Sequence, residues 1–133
     1  MARTTFDDTD REILNTKSFA TLSTLRPDGT IWATPVWFDV EDNNILINGA
    51  EGRSWPTYLR DNGVVSLTVA NAENPYQYVS ITGRVAGETH DGADDVINRL
   101  AKKYIDQDVY PWKTPDEVRV TFTIAPTKIY RNR

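Results

Sequence analysis

Residues 19–53 read FATLSTLRPDGTIWATPVWFDVEDNNILINGAEGR, and two turns divide them. Arg26-Pro27-Asp28-Gly29 joins a proline, which presets φ, to a glycine, which accepts positive φ. Before this turn, Ala20, Leu22 and Thr24 share one face of a strand over 17–25, and Phe19, Thr21 and Ser23 share the other. A second strand over 30–40 follows, so the pair reads as a hairpin. Pro35 has no N–H to give to a ladder, which places it at a sheet edge or a bulge. Glu41-Asp42-Asn43-Asn44 turns the chain again into a third strand over 45–48. Short strands joined by tight turns predict an antiparallel sheet.

Upstream, residues 6–16 read as a short helix. Thr9 and Glu12 match a capping box, and Ile13 and Leu14 supply its apolar side. Downstream, the glycine-bearing loop 49–53 leads into a short helix over 54–61, with Trp55, Tyr58 and Leu59 at helical spacing. A strand over 64–70, a turn over 71–75 and a long strand over 76–88, bent at Gly83, come next. Residues 91–106 form the clearest helix. Val96, Ile97, Leu100, Ala101, Tyr104 and Ile105 make its apolar stripe, while Asp95, Arg99, Lys102 and Lys103 face water. A proline-flanked loop over 109–116 precedes a last strand over 118–124, with Val118, Val120, Phe122 and Ile124 on one face. The pattern predicts a mainly β, α+β fold: an antiparallel barrel of six strands with flanking helices. Six short strands enclose a narrow interior that side chains fill. A large ligand would then sit outside the barrel, where a second subunit can cover it.

Composition narrows the function. The 133 residues suit one domain over 1–133 and leave no room for two good cores. A net charge of −4 argues against a surface that attracts nucleic acid or anionic membranes as a whole. The absence of cysteine removes disulfides, thiolate catalysis and cysteine-held metals, and one histidine builds no histidine cluster. No apolar run reaches the ~20 residues of a membrane span. The N-terminal stretch lacks the apolar segment of a secretory signal, so a cytoplasmic protein is expected.

Three segments can carry chemistry. At 48–58 a strand ends, two glycines and Arg53 follow, and a helix begins at Ser54. Free N–H groups at a helix start, close backbone approach and a forked cation make a phosphate cradle. The plainer reading is an ordinary strand-to-helix loop capped by Ser54. In Thr34-Pro35-Val36-Trp37, the broken ladder leaves backbone groups for a ring with amide edges, and Trp37 lies beside it; the plainer reading is an edge strand with a buried tryptophan. In Asn74-Pro75-Tyr76-Gln77-Tyr78, the tyrosines can wall a pocket and Gln77 can bond a ring edge, or all are exposed at a hairpin start. His90 has no positioned nucleophile near it in sequence and reads as a solvated loop residue. The clustered aspartates at 7–10 and 91–95 suit helix starts without any metal. Trp112, between prolines, either covers a pocket or packs on the long helix.

Taken with LRDNGVVSLTV (59–69) and NPYQYVSITGRV (74–85), the stretch 19–53 resembles the pyridoxamine-5′-phosphate-oxidase-like split barrels. Within them it is most similar to the actinobacterial branch that uses the deazaflavin coenzyme F-420. The resemblance runs from about Phe19 to Val85, with weaker agreement at LAKKYIDQDVYP (100–111) and the last strand. It implies a split β-barrel of Greek-key topology, a homodimer, and a coenzyme at the subunit interface. It also implies an oxidoreductase that passes a hydride to an enone, a quinone or a similar electron-poor acceptor. FMN-binding oxidoreductases and non-catalytic coenzyme- or haem-binding modules share the barrel and are the alternatives. By position, Pro35, Val36 and Trp37 would meet the ring. Asn48, Gly49, Arg53 and Ser54 would hold the ribityl chain and phosphate, with Trp55 and Tyr58 beside them. Gln77, Tyr78 and Arg84 would approach from the same site or from the partner subunit. Relatives often carry a cation at the position of Trp55 and another near Thr57, which leaves Arg53 nearly alone here.

Overall fold

The computed structural model describes residues 4–132; Met1, Ala2 and Arg3 of the N-terminal stretch read above, and Arg133, lie outside them. The elements run α1 (Asp8–Leu14), β1 (Ala20–Leu25), β2 (Ile31–Val36), β3 (Phe38–Glu41), β4 (Asn44–Ala50), α2 (Ser54–Asn62), β5 (Val64–Asn71), β6 (Asn74–Thr89), α3 (Ala93–Ile105) and β7 (Arg119–Asn132). All strands pair antiparallel in one sheet of order β2-β1-β5-β6-β7-β4-β3.

The described residues form seven strands rather than six, because the expected strand over 30–40 breaks at Trp37. β2 stays on β1, with Pro35 opposite Thr21, and β3 pairs with β4 at the far end of the strand order. A single residue thus joins the two edges of the sheet. Two residue steps span at most ~7 Å, so the sheet must curl until its edges meet there. Pro35 lies on an edge strand, as a residue without an N–H should.

The curled sheet turns one face of its strands inward, although no residue of the edge strand β2 is fully buried. Ala20, Leu22, Ile45, Ile47, Val65, Leu67, Val69, Val79, Ile81, Phe122 and Ile124 fill the interior, with Phe38 at the seam. β4 is buried on both faces. Ile45 and Ile47 point inward, and the outward Asn48 bonds to the backbone of α3. The helices α1 and α2 pack on β5 and β1, and α3 packs on β7 and β4.

Three local expectations are corrected. The opening helix is capped by Asp7 and Asp10, each accepting the other's backbone N–H at 2.8 and 3.0 Å, instead of by Thr9 and Glu12. Aspartate caps as well as threonine does, and Asp10 also receives Arg131 of β7 through Nε at 2.8 Å and through Nη2. That tie favours the earlier start. The last strand runs on to Asn132, well past Ile124, because Pro126 falls where the β6–β7 register shifts beside Gly83. A Cβ at Gly83 would lie 2.8 Å from the Ala125 carbonyl, so the bend needs glycine there. Lys103 does not face water. Its ammonium sits 4.4 Å from the Phe38 ring centre and donates to the Leu14 and Phe38 carbonyls at 3.2 and 3.3 Å. Burial lowers its pKa from the ordinary lysine value.

Candidate functional site

The seam, the start of β7 and the start of α2 surround a cleft of about 630 Å³, a size usual for a small-molecule site. Its position follows from the fold. Trp37 must cross from edge to edge, and β4 ends beside it, so the loop that leaves β4 for α2 opens on the same side.

One wall is aromatic. Phe19, Tyr104 and Trp37 stack face to face, with Tyr104 in the middle at centroid distances of 5.6 and 5.3 Å and nearly parallel planes. The Tyr104 hydroxyl donates to the Ser18 carbonyl at 2.9 Å, and burial pushes its pKa up to about 12. Trp37 also meets Tyr110 edge-on at 6.0 Å and Trp112 at 6.2 Å. Trp112, which the sequence left undecided, lines the cleft and is mostly exposed.

The opposite side is polar. Arg119, the first residue of β7, is only 4% exposed yet lines the cleft. Its Nε donates to Asn48 Oδ1 at 2.8 Å, and its guanidinium lies 5.2 Å from the Tyr110 ring centre. Its Nη1 is buried, makes no hydrogen bond, and stands 3.3 Å from a carboxylate oxygen of Glu117. Arg53, half exposed at the mouth, places Nη2 3.5 Å from the other Glu117 oxygen. The α2 helix starts at Ser54 with no side chain capping it, so the N–H groups of Ser54 and Trp55 are left for an anion, Pro56 having none to give. Ser54 is therefore not the cap; Arg53 holds that position in extended backbone.

The cleft gathers most of the residues picked from sequence: Pro35, Val36, Trp37, Asn48, Arg53, Ser54 and Trp55. Several do other work than a direct contact. The Asn48 amide donates to the Ala93 carbonyl at 2.9 Å and to Thr121 at 3.1 Å while accepting from Arg119, so it acts through Arg119. Trp55 is 7% exposed and packs on Phe122 at 5.7 Å, as part of the core. Gly49 faces this indole. A Cβ there would lie 2.6 Å from Trp55 Cζ2, so Gly49 makes room for Trp55. Tyr58 stands behind Trp32, edge-on at 6.1 Å. Glu51 turns away to Arg60, whose Nη2 donates at 2.6 Å and holds the Glu51 carboxyl below its usual pKa. His90 is exposed, 3.8 Å from Glu51.

Gln77, Tyr78 and Arg84 do not line this cleft. Gln77 accepts from Asn71 at 2.7 Å beside a second, polar cavity of about 450 Å³ with Glu12, Lys17 and Glu73. Tyr78 and Arg84 sit on β6, paired across to β5 and β7. Arg119, Glu117, Phe19 and Tyr110 were missed. The alternation of Val118, Val120 and Phe122 put Arg119 on the outward face, and nothing local shows that a loop and α3 cover that face.

The Arg119 guanidinium at the cleft, the open α2 start and the stacked wall together fit a flat ring carrying an anionic tail. The sequence profile of the pyridoxamine 5′-phosphate oxidase family matches residues 6–132. The chain belongs to that family. Among solved structures, an F420 reductase superposes with a TM-score of 0.84 at 22% identity, covering 94% of this chain and 98% of that one. The group A Streptococcus protein HupZ gives 0.67 at 16%, covering 95% and 93%. General Stress Protein 26 of Bacillus anthracis gives 0.69 at 17%, covering 94% and 92%. At such identities these likenesses speak for the split-barrel fold. No curated protein sequence matches the chain. Among the described residues, no helix is long and apolar enough to cross a membrane.

Proposed function

We propose that this protein is a deazaflavin-dependent reductase that binds coenzyme F-420 in the cleft and works as a homodimer. The observation that carries the reading is the juxtaposition of the Pro35–Trp37 crossing with Arg53, Ser54 and Arg119 in one cleft. Trp37 and the edge of β2 would hold a ring system, and Arg53 with the α2 start would hold its phosphate. When bound, the reduced coenzyme would supply a hydride to an enone or quinone, with the balancing proton taken from solvent. The chain's own residues bind and orient. Trp37, Tyr110 and Trp112 offer apolar faces to a planar acceptor, and Arg119 is held ready by Asn48. Tyr104, with its pKa near 12 and its hydroxyl bonded to Ser18, keeps its proton and serves the wall.

The homodimer reading is supported by large side chains left open on the sheet. Ile31, Tyr76 and Tyr130 are all mostly exposed, an apolar area that a second copy of the chain would cover.

The test is a titration of purified protein with coenzyme F-420 and FMN side by side, followed by reduced F-420 with a panel of enones and quinones. Saturable F-420 binding and oxidation of the reduced coenzyme by at least one acceptor are expected. Binding of FMN alone would move the assignment to an FMN oxidoreductase. Absence of both binding and turnover would end it.

A further inference from the structure

Glu117 lies in the loop before β7, where a carboxylate would ordinarily face water, yet its side chain is only 8% exposed. Its two oxygens are divided between two cations, Oε1 at 3.5 Å from Arg53 Nη2 and Oε2 at 3.3 Å from Arg119 Nη1. Both distances exceed the 2.7–2.9 Å of a well-made charge-assisted bond. Oε2 and Nη1 are buried and have no hydrogen-bond partner at all. Buried charges are normally paired with good geometry, because desolvation is otherwise uncompensated. Here a carboxylate reaches two guanidiniums without bonding well to either.

The remaining contacts of Arg119 show that it does not depend on Glu117 for its position. Asn48 fixes its Nε, and the Tyr110 ring lies against its guanidinium. Both arginines line the cleft, beside the uncapped start of α2. Glu117 itself does not line the cleft; its buried carboxylate is the shared counter-charge of the two arginines that do.

We infer that Glu117 is an internal counter-anion that competes with a ligand's phosphate or carboxylate for Arg53 and Arg119 and so sets how tightly the cleft takes anionic ligands. The inference deepens the proposed coenzyme reading and rests on it only for which oxyanion arrives. An incoming anion meets a net of one positive charge in place of two, because the Glu117 carboxylate neutralises part of the pair. An uncharged ring in the same cleft is indifferent to Glu117.

The experiment compares wild type, Glu117→Gln and Glu117→Asp, each checked for folding by circular dichroism. Calorimetry and tryptophan fluorescence follow binding of inorganic pyrophosphate, of FMN against riboflavin, and of F-420 against its phosphate-free deazariboflavin. Removing a like charge within a few ångströms of the anion should tighten pyrophosphate and the phosphorylated rings about tenfold or more in Glu117→Gln, and leave the phosphate-free rings within about twofold. Glu117→Asp, whose shorter side chain cannot bridge both arginines, should show a smaller gain of the same sign. It carries the test if the glutamine variant does not fold. Equal or weaker oxyanion binding in the variants overturns the inference. A gain as large for riboflavin as for FMN also overturns it, since that would be loss of bulk and not of charge. If pyrophosphate tightens while no ring binds any variant, the counter-anion stands and the coenzyme reading falls.

Discussion

Replacing Asn48 by alanine removes one buried amide and leaves three partners behind. The Ala93 carbonyl loses a donor at 2.9 Å, Thr121 loses a donor at 3.1 Å, and Arg119 Nε loses its acceptor at 2.8 Å. A neutral hydrogen bond contributes about 1 kcal/mol net, and one to a charged group about 1.5–3 kcal/mol. Allowing for a water that enters the space, the loss should be roughly 3 kcal/mol, or about 10 °C in melting temperature for a chain of this length. Urea unfolding monitored by circular dichroism measures it. The functional consequence is separate, because Arg119 no longer has a fixed Nε and its guanidinium loses its aim into the cleft. Pyrophosphate or F-420 should therefore bind several-fold more weakly under conditions where the variant is still folded. Asn48→Asp separates the two effects: it keeps an acceptor for Arg119 but sets a carboxylate oxygen against the Ala93 carbonyl. It should lose stability while retaining an oriented Arg119. If Asn48→Ala unfolds within about 1 kcal/mol of wild type, or binds oxyanions as well as wild type, the view that Asn48 acts through Arg119 is wrong.

Gly49→Ala should cost about 1–3 kcal/mol by overpacking, because its Cβ would lie 2.6 Å from the Trp55 ring, which Phe122 backs; an unchanged unfolding midpoint would contradict the contact. Arg53→Ala should weaken binding of phosphorylated rings while shifting stability by less than ~1 kcal/mol, since its ion pair with Glu117 is at 3.5 Å and its side chain is 54% exposed. Unaltered affinity would remove Arg53 from the site. Tyrosine absorbance should show one group ionising near 12, absent in Tyr104→Phe. Its folded value lies above its ordinary value of 10.0, so its stabilisation is complete below pH 10 and is lost as pH rises toward 12. A tyrosine titration that is complete by pH 11 would contradict that burial.

The parts of the fold legible in sequence are those that local chemistry decides. The Arg26–Gly29 turn formed where proline and glycine placed it, with the Arg26 N–H bonded to the Thr30 carbonyl at 2.8 Å. Ala20, Leu22 and Thr24 are buried as their alternation requires. The break at Trp37 was not legible, because Pro35 marks only an edge or a bulge, the apolar run Val36-Trp37-Phe38 holds no turn residue, and only the closure of the sheet demands a change of partner. The same limit hid half of the site. Arg53 and Ser54 announced themselves by glycines and a helix start, whereas Arg119 sits in a run whose apolar partners explain the strand completely. Trp55 stands where relatives often carry a cation, but its burial against Gly49 and Phe122 makes it a floor, and Arg119 supplies charge from another strand.

The one-residue crossing at Trp37 makes the barrel a hoop whose clasp is also a wall of the cleft. β2 and β3 are each paired on one side only, to β1 and to β4, so they are the strands with least to hold them. Their separation is limited by the backbone of a residue whose indole rests on Tyr104, Tyr110 and Trp112. Whatever presses the indole against those rings tightens the clasp. Ligand occupancy should then be written into amide exchange at the two edge strands, slowing it at 31–36 and 38–41 more than along β5 and β6, and the hoop would report a bound molecule as a loss of breathing at its own seam.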